Sequence, residues 1–294
     1  MFTQLFGSFL LNKKLVTTEQ LMDALNYQSS VRLKLGVLAV NAGYMTAEDI
    51  KKVHDVQSKV DKKFGEIAIE MGFLDDEKVN KLLSSQKTGY LLLGQALVDK
   101  NYMTMKQFED AINIYKKEYS LSNDELQSID NGDFNKVLSS FYGFDNVSQG
   151  EVYKNYFSLL FRNIIRFVDA SFIPKENKAI SNYKYQWMVT QNIFGNIGLD
   201  TYICGDEKAF IGFASKFSQE NYNQNDEYVQ ASMGEFLNQI NGLFLVNMSN
   251  NNVELELTPQ AVYSNGVLTE LSEAYCITIE FPFGVIDFMI SKSN

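Results

Sequence analysis

Arginine is almost missing from this chain: only Arg32, Arg162 and Arg166 appear among 26 basic residues, against 36 acidic ones and a net charge of −10. Without a broad cationic surface to follow a phosphate backbone, nucleic acid is not an expected partner. Cysteine is nearly as scarce. Cys204 and Cys276 lie in the strand-like segments TYICGDE and EAYCITIE, where a thiol reads as a small core residue rather than half of a disulfide. The single histidine, His54, has no C-x-x-C beside it, so no zinc constellation or other metal site is expected. There is also no P-loop and no Ser-His-Asp set. No apolar run reaches membrane-spanning length, and the first residues lack the basic start, apolar stretch and cleavage site of a secretory leader; the expected address is the cytoplasm, without membrane insertion. What is present excludes general disorder: 45% of the 294 residues are hydrophobic and 13% aromatic, enough for two domains.

The strongest pattern is a spacing. Gly7, Gly36, Gly65 and Gly94 recur every 29 residues, and each is followed by Gln28, Gln57, Gln86 or, in the last copy, Tyr115. Residues 1–118 therefore read as a fourfold repeat in which each copy covers the apolar face of its neighbour. Thr17, Thr46, Asp75 and Thr104 share a column, and their side-chain oxygens suit a helix start. Lys14, Gly43, Gly72 and Asn101 share the column before it, where two glycines and an asparagine suit a left-handed turn. Each copy is thus expected to be two helices joined by a turn, with Leu21, Ile50, Val79 and Phe108 facing inward beside Ala24, Val53, Leu82 and Ala111. His54 replaces an aliphatic residue in the column of Leu25, Leu83 and Ile112, which predicts a packed or half-buried ring.

The glycine, turn and glutamine columns resemble the tandem helical domain at the N-terminus of secretion and pilus assembly ATPases, one branch of which binds cyclic di-GMP. That family begins each unit Arg-Leu-Gly; here the starts read Leu5-Phe6-Gly7, Lys34-Leu35-Gly36, Lys63-Phe64-Gly65 and Leu92-Leu93-Gly94. The resemblance implies a nucleotide site at Lys34, Gly36, Gln57, Lys63, Gly65 and Gln86. Lysine lacks the planar fork with which arginine grips a guanine or phosphate, so a helical docking module is the favoured reading.

Residues 119–150 gather Ser, Asn, Asp and Gly and read as a linker with a short helix near Phe134 to Phe141. Residues 151–294 form the second expected domain. Tyr156, Leu159, Leu160, Ile164, Phe167 and Val168 follow helical spacing. Lys184–Phe194, Leu199–Cys204 and Ala209–Phe217 read as strands, Asp226–Val246 as a second long helix, and Val253–Val262 and Ala274–Ile290 as further strands, the last broken at Phe281-Pro282-Phe283-Gly284. The class is α+β with an antiparallel sheet and two long helices.

On the second long helix, Val229, Met233, Phe236, Leu237, Ile240, Leu243 and Phe244 make the core stripe. Glu235 and Asn238 fall on the opposite side with Ala231, Gly234 and Gly242, a low platform that suits close approach by a partner. Glu-x-x-Asn followed by a small-residue turn resembles the CheC and CheX chemotaxis phosphatases. The resemblance implies that the substrate is an aspartyl phosphate on a response-regulator receiver domain, which brings its own Mg²⁺, so that this chain needs no cofactor. Glu235 would then pair with the receiver's lysine and Asn238 would hold the attacking water. Ala231 stands where the family often has Ser or Asp, and Lys154 three residues after Glu151 leaves one motif, as in the one-site CheX type. Pro259 resembles a proline that the family places after the next strand. Pairing into a homodimer through the sheet is implied by resemblance alone. Two alternatives stand beside the phosphatase: a non-enzymatic adaptor in a motility, pilus or secretion assembly, and a cyclic di-GMP effector.

Overall fold

The computed structural model describes residues 2–84, 89–121, 135–144, 149–175 and 178–293. It divides into two compact units, Phe2–Phe134 and Asn135–Asn294. Most of the expected linker, 122–134 and 145–148, lies outside the described residues.

The first unit is helical: α1 Phe2–Asn12, α2 Thr18–Tyr27, α3 Leu35–Asn41, α4 Ala47–Gln57, α5 Phe64–Glu70, α6 Asp76–Ser84, α7 Gly89–Asp99 and α8 Met105–Glu118. Turns between paired helices close at Lys14, Gly43, Gly72 and Asn101, all with φ between 55° and 77°. Three residues later Thr17, Thr46 and Thr104 accept the backbone N–H of Gln20, Asp49 and Gln107, and each of those side chains caps back. Asp75 accepts from the Lys78 N–H at 2.7 Å. Each such cap is worth about 1 kcal/mol.

The four glycines allow helices to touch. A Cβ on Gly7 would stand 3.2 Å from Leu21, on Gly36 3.1 Å from Ile50, on Gly65 3.2 Å from Leu35 and 3.7 Å from Val79, and on Gly94 2.0 Å from Phe108. Packing order nevertheless departs from sequence order. The α7–α8 pair sits between the first and second pairs, and α5–α6 packs on α3 and α4. Aromatic matching explains this placement: Phe6 meets Tyr90 at 6.1 Å, Phe108 at 6.4 Å and Tyr115 at 5.3 Å between ring centroids. Tyr115, the residue that departs from glutamine in its column, is therefore buried. His54 corrects another expectation: it is exposed, its ring resting 5.2 Å from that of Phe64. Its column faces inward at Leu25 and Ile112 but outward at Leu83.

The second unit opens with α9 Asn135–Tyr142 and α10 Gly150–Phe167, then β1 Ile173–Pro174, β2 Lys178–Ile180, β3 Tyr183–Gly195 and β4 Leu199–Gly205. Helices α11 Glu207–Ser218 and α12 Glu227–Ser249 follow, and β5 Leu255–Leu257, β6 Ala261–Leu268, β7 Ser272–Phe281 and β8 Gly284–Lys292 complete it. The sheet is antiparallel, in the order β1-β7-β8-β4-β3-β5, with β2 also on β7 and β6 also on β3. Residues 209–217, expected as a strand, belong to α11. Asp206 caps its start by accepting the Ala209 N–H at 2.7 Å, and Ala209, Phe210, Phe213 and Ala214 are buried at helical spacing, which outweighs the aromatic content that suggested a strand. Val253–Val262 divides into the short β5 and the start of β6 at Thr258-Pro259-Gln260, where proline can donate no ladder bond.

Phe213, Phe236, Phe281 and Phe288 fill the interface between α11, α12 and the sheet. Met188, Tyr202, Cys204, Cys276 and Met289 form a smaller cluster. Both cysteines are free and buried, and burial pushes the Cys204 thiol far up from its ordinary range.

Two outcomes are expected. Gly94→Ala should destabilise the protein by roughly 1–3 kcal/mol through overpacking against Phe108, and by more than Gly36→Ala, in denaturant unfolding. A thiol reagent at pH 8 should leave Cys204 unlabelled in the folded protein and react with it once the chain is unfolded.

Candidate functional site

Helix α12 starts where Asp226 accepts the N–H groups of Tyr228 and Val229. Its inward stripe contains Val229, Met233, Phe236, Leu237, Ile240 and Phe244, all buried. Leu243, assigned to that stripe from the sequence, is 40% exposed, and Asn241 takes the inward place at 0%. The helical period explains the exchange, since 237, 241, 244 and 248 lie one above another.

A buried polar amide at a helix–sheet interface must be hydrogen-bonded, and Asn241 is bonded through both ends. Its Oδ1 accepts from the Tyr156 hydroxyl on α10 at 2.9 Å; its Nδ2 donates to Gln191 Oε1 on β3 at 2.9 Å and to Thr201 Oγ1 on β4 at 2.8 Å. Gln191, 1% exposed, then donates from Nε2 to the Thr258 carbonyl at 2.8 Å and to Asn238 Oδ1 at 3.0 Å. Thr201 Oγ1 in turn donates to the Gln191 carbonyl at 2.7 Å. Burial pushes the Tyr156 phenol well above its ordinary range, so it remains a neutral donor.

The chain of bonds ends at the helix surface. Asn238 is half-buried, so its amide is held from below and reachable from above. Glu235, one turn earlier, is exposed and has no hydrogen bond or ion pair among the described residues. Residues three apart project from the same side of a helix. The pair therefore presents an exposed carboxylate beside a fixed carboxamide.

The expected platform is partly realised. Ala231 is exposed, and a Cβ on Gly242 would meet nothing within 4 Å. Gly234 is a correction: it is buried, and a Cβ there would stand 3.1 Å from Gln260 Cγ. The loop after β5 covers it. Ser232, next to Ala231, has its Oγ buried without a hydrogen-bond partner among the described residues, so it does not take the place of a polar group at position 231.

In the first unit, Gly36 and Gly65 lie where α3 meets α5 and serve packing: a Cβ on Gly36 would stand 3.5 Å from Phe64 and one on Gly65 3.2 Å from Leu35. Lys34 pairs with Asp99 at 2.7 Å, its backbone N–H donating to Gln95. Gln57 donates to the Lys62 carbonyl at 3.2 Å, and Lys63 is exposed at the start of α5. Gln86 lies outside the described residues. Among the described residues, no group of three or more His, Cys, Asp or Glu could hold a metal ion, and no helix is long and apolar enough to cross a membrane.

Residues 188–282 match the family model described as Chemotaxis phosphatase CheX. The matched span includes Gln191, Thr201, all of α12 and Thr258. No curated protein matches the chain. Among solved structures, similarity is found to a CheC-like superfamily protein from Shewanella sp. PV-4, at 16% identity over 49% of this chain and 98% of that one, with a TM-score of 0.44. CheX from Desulfovibrio desulfuricans gives 13% identity, 49% and 99% coverage and a TM-score of 0.43. A CheX–CheY–BeF₃⁻–Mg²⁺ complex from Borrelia burgdorferi gives 19%, 49% and 98%, and 0.41.

The sequence offers Glu235 and Asn238 as a candidate pair but gives no reading of Gln191 or Asn241. Their signal was a polar residue at an inward position: Gln191 shares one face of β3 with the buried Val189 and Ile193, and Asn241 interrupts an apolar stripe. Gly242→Ala should raise stability by about 1 kcal/mol, because the added methyl enters open space and relieves the helix of glycine's entropy; denaturant unfolding measures it.

Proposed function

We propose that the second unit is a phosphatase for the aspartyl phosphate of a response-regulator receiver domain. The observation that carries this reading is Glu235, unpaired among the described residues, one turn from the anchored Asn238, on a helix inside the CheX-matched span. In it, the α12 face meets the receiver, with Ala231 and Gly242 allowing close approach, and Glu235 pairs with a receiver lysine. Asn238 holds a water in line with phosphorus. The water oxygen bonds to phosphorus as the bond to the aspartyl oxygen breaks, leaving the receiver's carboxylate and inorganic phosphate released as H₂PO₄⁻, which carries both protons of the water. An acyl phosphate is already activated, so orientation suffices without a strong base. Mg²⁺ comes with the receiver, and this chain supplies no cofactor.

The four helix pairs of residues 1–118 are read as copies of one unit that acts as a targeting or sensing module, with the protein in the cytoplasm. Lys34 is held by Asp99, which favours protein docking over cyclic di-GMP there. A non-enzymatic adaptor is the second reading. The inward Ser232 hydroxyl and Ala231, which leave the turn before Glu235 without a polar group on that face, favour it.

Phosphate release from a panel of phosphorylated receiver domains with Mg²⁺ tests the proposal. Acceleration is expected for the wild type. Asn238→Ala should lower kcat by about 100-fold, and Glu235→Ala should weaken chiefly KM. No acceleration across the organism's complete receiver set would leave the adaptor reading in front.

A further inference from the structure

We infer that Gln191 is a positioning residue that fixes which end of the Asn238 carboxamide faces the substrate, an inference that rests on the phosphatase reading for its catalytic consequence. The polarity follows from the bonds. Tyr156 donates to Asn241 Oδ1, which leaves Asn241 Nδ2 as the donor to Gln191 Oε1. Gln191 must then turn Nε2 toward the Thr258 carbonyl, an obligate acceptor. The same Nε2 faces Asn238, so only the Asn238 oxygen can meet it. Asn238 consequently keeps Nδ2, and the second lone pair of Oδ1, for whatever sits above α12.

This arrangement is dearer than apolar packing would be. Gln191, Thr201 and Asn241 are at most 1% exposed, and buried polar groups stabilise no better than well-packed hydrocarbon unless every member is satisfied. Leucine or methionine at position 191 would fill the space between Val189 and Ile193 with no partner to find. The relay spans α10, β3, β4, the segment after β5 and α12, and its exposed end is the residue proposed to hold the water. A side chain free to rotate about χ2 would present oxygen and nitrogen in turn, and misplacement of about 1 Å can cost about 100-fold in rate.

The test uses the full chain and two readouts. In the first, ¹⁵N side-chain NMR follows the Asn238 carboxamide without any receiver: it should be ordered in the wild type and mobile in Gln191→Met. Equal mobility in both proteins overturns the inference, whatever the activity. In the second, phosphate release from a phosphorylated receiver is compared in a double-mutant cycle. Gln191→Met should lower kcat by about 10 to 100-fold with KM unchanged, and should have no further effect in the Asn238→Ala background. An equal loss in both backgrounds would mark Gln191 as merely structural and overturn the positioning role. Gln191→Glu supplies an acceptor in place of the donor and should not rescue; full activity in it would also contradict the inference. An ordered amide released by Gln191→Met, in a protein that dephosphorylates no receiver, would uphold the positioning and reject the phosphatase reading.

Discussion

The second unit is organised around a carboxamide that has to be buried. Asn241 occupies a core position of α12, and an unsatisfied amide there would cost about 1–3 kcal/mol. Its partners decide much else: Tyr156 ties α10 to α12, Thr201 and Gln191 tie α12 to the centre of the sheet, and Thr258 ties in the segment after β5. Helix α12 therefore cannot rotate or slide without breaking directional bonds, which greasy packing alone would tolerate. The candidate face inherits that rigidity, because Asn238 is the outermost member of the same chain of bonds.

The first unit solves its packing differently. Glycines bring helices close, left-handed turns and threonine or aspartate caps fix each pair, and aromatic rings decide which pairs meet. Phe6 and Phe9 lie against Tyr115, with centroids at 5.3 and 5.0 Å. A second tie between distant segments is polar: Asp23 receives both Lys100 and Tyr102. Hydrogen bonds from these two, Lys100 first, hold the Asp23 carboxyl below its usual range.

Local features were the most legible. A glycine or asparagine turn followed by a capping threonine is decided within a few residues, so the turn within each helix pair and the start of its second helix could be read directly. The packing order of its helix pairs could not, since it depends on aromatic contacts between segments far apart in sequence. The error at residues 209–217 has the same origin on a smaller scale: Phe210, Phe213 and Phe217 suit a strand by type, and only Asp206 and the four-residue spacing indicate a helix. At the candidate site, Glu235 and Asn238 were visible as a pair because helical geometry brings residues three apart together. Gln191 was invisible because its partners are 47 and 50 residues away. Gly234 was misplaced because nothing in α12 itself announces that Gln260 will cover it.

Docking of a phosphorylated receiver on α12 is tested by titrating receiver domains carrying beryllofluoride and Mg²⁺, a stable stand-in for the aspartyl phosphate, into the ¹⁵N-labelled protein. If α12 is the docking face, one such receiver shifts the Asn238 side-chain amide and the backbone signals around Ala231, Glu235 and Gly242, and Glu235→Ala weakens the effect. Binding that perturbs other surfaces while leaving the α12 face unchanged would contradict docking there.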